Sequence, residues 1–404
     1  MRSPSLGRIG DGAAGVDLLI DVSRLVGRFL KGRLPTGIDR VCQEYLEHYG
    51  PGARALVRIG GNSLVFDHGA SMRLFKTLRA APSRSRIQTV ELIVREIADG
   101  GFSRVATGAV LLNPGHSGLE SEGYFRFLRS REMAAVFLVH DLIPLTHPEF
   151  CRPGEREKHL ARMKHVLGKG HAVIANSQAT LDALSAFATL HGIGLPPCTA
   201  ALLGPGALAS PGTTPRRVIR EPYFVILGTI EARKNHWLLL QVWRRLVERL
   251  GNRAPHLLVI GQRGWECENV VDLLERCEAL RGVVTELSSC SDSDLSNYLH
   301  SARALLFPSF AEGFGMPVLE ALSLGTPVVA SALPVFREFA GEIPEYIDPL
   351  DGPRWLETIM DFAAPESALR KAQLLRLAGF RSPTWSDHFD RVDRLLESVT
   401  RRPQ

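Results

Sequence analysis

ALLFPSFAEGFGMPVLEALSLGTPVVAS, residues 304–331, is the stretch on which the reading of the fold turns. An apolar run, Ala304–Pro308, leads through a glycine-rich loop into a helix-patterned segment, Pro317–Leu324, and a second apolar run follows at Pro327–Ser331. Two short buried runs joined by a helix make a strand–helix–strand unit with parallel strands. Pro317 falls in the first helical turn, where a missing N–H is tolerated.

The same alternation extends in both directions. Tyr223–Leu227 reads as a strand, Asn235–Gly251 as a helix with apolar Trp237, Leu238, Leu240, Val242 and Leu246, Leu257–Gly261 as a strand and Val270–Ala279 as a helix. Upstream, Val16–Ile20 is the first strand, followed by a loop with Pro35-Thr36-Gly37 and a helix over Ile38–His48. Val105–Leu112 and Ala135–His140 read as further strands, Glu155–Leu167 as a helix and Val173–Asn176 as a strand, with Ser177 capping a helix through Leu184. Periodicity fails at Gly204–Pro222, which holds four prolines and three glycines. The expected class is therefore α/β, with two doubly wound, Rossmann-like domains facing across a cleft. The expected boundaries are 1–208, a linker 209–222, a second domain 223–384, and a helix within 385–404 that returns to the first domain.

Composition narrows the class of function. The 404 residues are 45% hydrophobic and 23% charged, which excludes a disordered chain. No apolar run approaches the ~20 residues of a membrane span, and Asp17 and Asp21 interrupt the early apolar stretch, so a cytosolic protein is expected. The six cysteines form no C-x-x-C pair and read as reduced thiols. Residues 1–210 carry 25 Lys and Arg against 18 Asp and Glu, whereas 211–404 carry 23 against 25. Lys76, Arg79, Arg84 and Arg86 gather beside Ala80-Ala81-Pro82, and the expectation is either a solvated face or peripheral contact with an anionic membrane. No nucleic-acid module accompanies the charge.

Two segments carry chemistry. In FPSFAEGFGMPVLE (307–320), Gly313 and Gly315 allow close backbone approach, Glu312 hangs from the loop, and Glu320 follows in the helix. In LGTIEARKN (227–235), a Gly228-Thr229 turn after a strand is expected to expose amides, and Arg233 and Lys234 are adjacent cations suited to a diphosphate. Asp292-Ser293-Asp294 has the form of a metal-binding D-x-D but reads better as a helix start capped by Ser291 or Asp292. His159, His165 and His171 lie six residues apart, too far for one helical face, and are assigned no metal.

Together these segments resemble the donor domain of glycosyltransferase family 4, retaining enzymes of GT-B architecture, in its mannosyltransferase-like branch. The resemblance rests on E-G-F-G-M-P-V-L-E-A-L at 312–322, G-T-P-V-V-A-S at 325–331, R-E-F-A-G at 337–341 and E-A-R-K-N at 231–235. It continues more thinly in T-G-I-D-R at 36–40, where Asp39 replaces a glycine, and in V-H-D-L at 139–142. The resemblance implies a metal-independent hexosyltransferase without a cofactor, using a nucleotide diphosphate sugar. GDP-mannose leads and a UDP-hexose follows as donor, with a surface-glycan or lipid-linked acceptor. It implies that Arg233 and Lys234 stabilise the leaving diphosphate and that Glu320 takes the ribose hydroxyls. Glu312 with the amides of Gly313, Phe314, Gly315 and Met316 would hold the sugar. His140 would contact it from the other domain, and Gly228, Thr229 and Gly37 would line the donor. Gly261–Trp265 is a candidate part of the base pocket. A catalytically silent binding or assembly subunit and a sugar-nucleotide epimerase are the alternatives. Retention of Glu312, Glu320, Arg233, Lys234 and His140 together argues against the first, and the E-G-F-G-M-P-V-L-E run against the second.

Overall fold

The computed structural model describes residues 16–32, 36–79, 90–91, 94–95, 105–206, 219 and 222–401. Two compact units emerge. One comprises 1–145, 154–203 and 385–404; the other comprises 146–153 and 204–384. Most of the expected linker, together with Pro35, Arg84, Arg86 and Ala80-Ala81-Pro82, lies outside the described residues.

The first unit holds a sheet of β1 (Leu18–Asp21), β2 (Ala53–Ile59), β3 (Asn62–Val65), β4 (Val110–Asn113), β5 (Ala134–Val139), β6 (Ala172–Ala175) and β7 (Cys198–Ala200), in the order β3-β2-β1-β4-β5-β6-β7. All its pairs are parallel except β2–β3, a hairpin turned by Gly60 and Gly61, both at positive φ. Two consecutive positive-φ glycines suit the tight turn of a right-twisted hairpin. The second unit holds β8 (Tyr223–Leu227), β9 (His256–Ile260), β10 (Val284–Leu287), β11 (Leu305–Phe307), β12 (Val328–Ser331) and β13 (Glu345–Ile347), all parallel, in the order β10-β9-β8-β11-β12-β13. β1, β4, β6, β9, β11 and β12 are buried at every residue, as strands covered by helices on both faces must be. The helices supply that cover: Trp243, Trp355 and Phe362 pack on the second sheet, and Phe125, Met163 and Leu184 on the first.

Several expected elements shift. The strand expected over Val105–Leu112 shrinks to Val110–Asn113 because Gly108, at φ 79°, turns the chain and Ala109 N–H bonds Ala106. Gly37, expected in a loop, opens the helix Gly37–Tyr49 behind the N-cap Thr36. The helix capped by Ser177 runs on to Leu190, whereas the one expected to end at Ala279 stops at Arg276 and yields to a single 3-10 turn. Residues 146–153, expected in the first domain, group with the second unit. There Phe150 stacks on Phe310 at 5.2 Å, Trp265 Nε1 donates to the Phe150 carbonyl at 3.4 Å, and Arg152 covers the Trp265 ring. The helix Trp385–Thr400 belongs to the first unit. Its His388 donates from Nδ1 to the Ala201 carbonyl at 3.1 Å and accepts from Tyr45 Oη at 2.9 Å, and its Asp393 accepts from Tyr49 Oη at 2.7 Å.

All six cysteines are free. Among the described residues no helix is long and apolar enough to cross a membrane. Arg79 forms an ion pair with Glu47, so part of the basic cluster is internally compensated.

Candidate active site

In each sheet the strand order reverses between two neighbours, β8 and β11 in the second unit and β1 and β4 in the first. Connections leave such a pair in opposite directions, which opens a crevice beyond their carboxyl ends.

Beyond β8, Gly228 (φ 143°) turns the chain, and a Cβ there would sit 3.4 Å from Lys234 Cε. Its amide is not exposed, contrary to expectation, because it donates to the Ile260 carbonyl at 2.9 Å and prolongs the ladder. A 3-10 turn, Ala232–Lys234, then presents Arg233 and Lys234, and Asn235, at φ 56°, starts the next helix while tying down Pro349. Beyond β11, the loop is pinned to this turn by Phe310 N–H on the Arg233 carbonyl at 2.9 Å.

The pin brings Glu312 onto both cations. Arg233 Nη1 lies 2.8 Å from Glu312 Oε2, and Lys234 Nζ donates to Oε1 at 2.5 Å. Arg233 also donates to the Ala311 carbonyl at 2.7 Å and to Glu231 Oε1 at 2.6 Å, and Lys234 Nζ sits 4.5 Å from the centre of the Phe307 ring. Two cations and two carboxylates thus balance in one buried cluster. Burial by itself would raise the Glu312 carboxyl, but Arg233 and Lys234 outweigh it and hold the group at about 2. Burial lowers the Lys234 ammonium against the pull of Glu312, and burial raises the Glu231 carboxyl against the same cations. The resemblance had given Glu312 to sugar hydroxyls; here both its oxygens hold the cation pair.

Downstream, Gly315 (φ 93°) opens the helix Met316–Ser323, and a Cβ there would lie 2.3 Å from Phe336, so neither conformation nor space admits another residue. Gly313 and Met316 flank this turn half-buried, and Glu320 is buried one turn into the helix. The Phe314 ring is not available to a ligand, because it is buried and stacked on Phe339 at 5.2 Å; only its backbone faces that role. Thr229 lies between Gly228 and the Ile230 bridge to Arg263. In Gly261–Trp265, Arg263 pairs with Glu286 and Glu275, and Trp265 is held by residues 150 and 152. Asp292 and Asp294 lie in the first turn of the helix Asp292–Ser301, whose N-cap Ser291 accepts from Asp294 N–H at 3.0 Å. Among the described residues no group of three His, Cys, Asp or Glu could hold a metal ion.

In the first unit, His140 follows β5, buried, with Nε2 donating to the Pro114 carbonyl at 2.7 Å. Burial pulls its pKa down to about 4. Its neighbour His116, which sequence reasoning missed, lies 5.1 Å away, and His159 lies 5.8 Å from His116. Gly37 starts a helix whose amino end is already occupied. Asp39 accepts from Thr36 N–H at 2.7 Å and lies 2.8 Å from Arg24 Nε and 2.6 Å from Arg28 Nε. A carboxylate in that position takes up the field an incoming phosphate would use. A cavity of about 630 Å³ lies at the opposite, amino-terminal edge of the first sheet, beside Val110, Phe125 and Met133, and contains none of the candidate residues.

These features define a class. Residues 216–343 match the glycosyl transferases group 1 family, and that segment is a domain of it. The chain is 40% identical over 129 residues to O-antigen chain mannosyltransferase B of Escherichia coli, covering 32% of this chain and 33% of that one. It is 27% identical over 241 residues to the serotype-specific mannosyltransferase WbdA of Escherichia coli, covering 53% of this chain and 28% of that one. The chain thus spans about a third of the length of these curated relatives. In structure it is similar to sucrose-phosphate synthase from Thermosynechococcus elongatus, with a TM-score of 0.63 at 15% identity, over 95% of this chain and 99% of that one. The fold is GT-B, and the site at β8 and β11 lies within the family segment.

Proposed function

We propose that the chain transfers a hexosyl residue, mannose first among candidates, from a nucleotide diphosphate sugar to a surface-glycan or lipid-linked acceptor with retention of configuration. The observation that carries this reading is the Arg233–Glu312–Lys234 cluster at the switch point of the second sheet. As the bond from the anomeric carbon to the diphosphate oxygen breaks, its electron pair stays on that oxygen. Arg233 and Lys234 are donors already fixed in place by Glu231 and Glu312, so little reorganisation accompanies the growing charge. The departing oxygen then takes the proton of the acceptor hydroxyl, and that hydroxyl oxygen bonds the anomeric carbon on the same face. Glu320 is assigned the ribose hydroxyls and His140 a sugar hydroxyl.

Mannose is favoured because several of the relatives that match, including the two described above, are named mannosyltransferases; a UDP-hexose is the second donor. The reaction is proposed to need neither metal nor cofactor, and to take place at the cytoplasmic side, with weak attachment to an anionic membrane surface. Calorimetry and transfer assays with GDP-mannose, UDP-glucose and other nucleotide sugars test the reading. Binding and transfer from GDP-mannose are expected; no binding of any nucleotide sugar would refute it.

A further inference from the structure

Asn113 is the last residue of β4, at the switch point of the first sheet, and it is buried. Its Oδ1 accepts from Gly115 N–H at 3.1 Å, and its Nδ2 donates to Asp21 Oδ2 at 3.1 Å and to Tyr124 Oη at 3.2 Å. A carboxylate can only accept, so the amide has a single orientation, with nitrogen towards Asp21 and oxygen towards Gly115. Asp21 is itself fixed at the end of β1. It accepts from Arg58 Nε at 3.0 Å, Tyr124 Oη at 2.8 Å and Ser23 N–H at 2.9 Å.

The Gly115 N–H and the Pro114 carbonyl are the two ends of one planar peptide group, so a bond that fixes one end fixes the other. Asn113 holds the nitrogen end. The oxygen end accepts from His140 Nε2 at 2.7 Å. Because a carbonyl offers no hydrogen, the His140 hydrogen lies on Nε2 and Nδ1 keeps its lone pair. Burial keeps the ring neutral, so this tautomer is the state of the folded protein. The far side of the turn is clamped from the same anchor. Arg58, already bound to Asp21, also donates to the Ser117 carbonyl and fills the space that a Cβ on Gly118 would need.

We propose that Asn113 is a positioning residue for transfer, which sets the orientation and tautomer of the His140 ring through the Pro114–Gly115 peptide group. An amide of this length meets both demands at once, an acceptor for the Gly115 N–H and a donor for the Asp21 carboxylate. Aspartate would set a second carboxylate against Asp21, and leucine would leave both groups without a partner. The proposal names what orients the ring, and it rests on the transferase reading only for what the ring is oriented towards.

Ring-nitrogen NMR of the whole chain, wild type against Asn113→Ala, tests it. Wild-type His140 should carry its hydrogen on Nε2. In the variant its ring signals should move or report both tautomers. His388 serves as the control, being buried in the same unit with Nδ1 donating to the Ala201 carbonyl and Nε2 accepting from Tyr45, and its signals should stay in place. Asn113→Ser should restore part of the wild-type pattern, because its hydroxyl can accept from the N–H two residues on. Transfer from GDP-mannose should fall by up to ~10²-fold in Asn113→Ala. GDP affinity should change by less than about twofold, since the Arg233–Glu312–Lys234 cluster belongs to the second unit. His140 signals that stay in place in Asn113→Ala, or that move only together with those of His388, would overturn the proposal. Hydrogen on Nδ1 of wild-type His140 would overturn it whether or not the variant folds. If the wild type transfers from no nucleotide sugar, the transferase reading fails, while the ring spectra still decide whether Asn113 orients His140.

Discussion

Glu312→Gln separates a structural role for Glu312 in balancing charge from a role confined to the sugar. In the structure its carboxylate is the partner of Lys234 and one of two carboxylates on Arg233. The glutamine keeps size and a carbonyl for Lys234 but removes the charge. Arg233 retains Glu231, so the group left without a counter-ion is Lys234, whose side chain is 10% exposed. Breaking a buried pair from one side costs ~3–5 kcal/mol, and the retained carbonyl argues for the lower end, about 3 kcal/mol. For a unit of this size each kcal/mol moves Tm by ~2–4 °C, so a fall of roughly 6–12 °C is expected in differential scanning calorimetry. GDP should then stabilise the variant more than the wild type. Saturating ligand at ~100 Kd adds about 2.7 kcal/mol, and in the variant the diphosphate also supplies the missing anion. An unchanged Tm without nucleotide would refute the compensating role. A GDP-induced shift smaller than that of wild type would refute the placement of the diphosphate at these cations.

Arg233→Ala and Lys234→Ala should each lower transfer by ~10²–10³ with the fold retained by circular dichroism, and wild-type turnover in either would contradict their role on the leaving group. Transfer should persist in excess EDTA; its loss, with recovery on adding manganese, would restore the metal-binding reading of Asp292-Ser293-Asp294. His140 and His388 are held down at about 4 and His236 at about 3, each by burial, against an ordinary 6.5. The unfolded chain therefore binds more protons, and stability should fall as pH drops from about 6.5 towards 4, read by urea denaturation; a flat profile in that window would count against the buried neutral rings. Sedimentation with anionic vesicles should show weak binding that is lost at high salt, and recovery with neutral vesicles alone would exclude an electrostatic surface.

Four strands of the second sheet, β8, β9, β11 and β12, were legible because each is a short apolar run, and Pro317 with Gly315 marks the loop-to-helix junction within a few residues. β10 (VTEL) and β13 (EYI) carry no such run and were not read. The antiparallel β3 was passed over although Gly60-Gly61 is a hairpin signal, because its four residues, NSLV, of which only Val65 is buried, carry no apolar run long enough to read as a strand. Contacts distant in sequence left no trace. Lys234 and Glu312 meet across 78 residues and His116 and His140 across 24, and nothing in either segment specifies the other. Asp39 was noticed only as a substitution in T-G-I-D-R; that it closes its own helix and holds Arg24 and Arg28 depends on a helix that starts 14 residues earlier.

The two sheets place chemistry at equivalent topological points, yet they prepare it by opposite means. At β8 and β11 the groups are fully charged and balanced by each other, so the cluster has N–H donors fixed in direction and is poised to respond to additional negative charge. At β1 and β4 the charges are spent internally, Arg24 on Asp39 and Arg58 on Asp21, and what remains beside them is a pair of neutral rings with set tautomers. Asp39, where the resembling loop has a glycine, fits this division, because its carboxylate at that helix start, held by Arg24 and Arg28, occupies the place an anion would take.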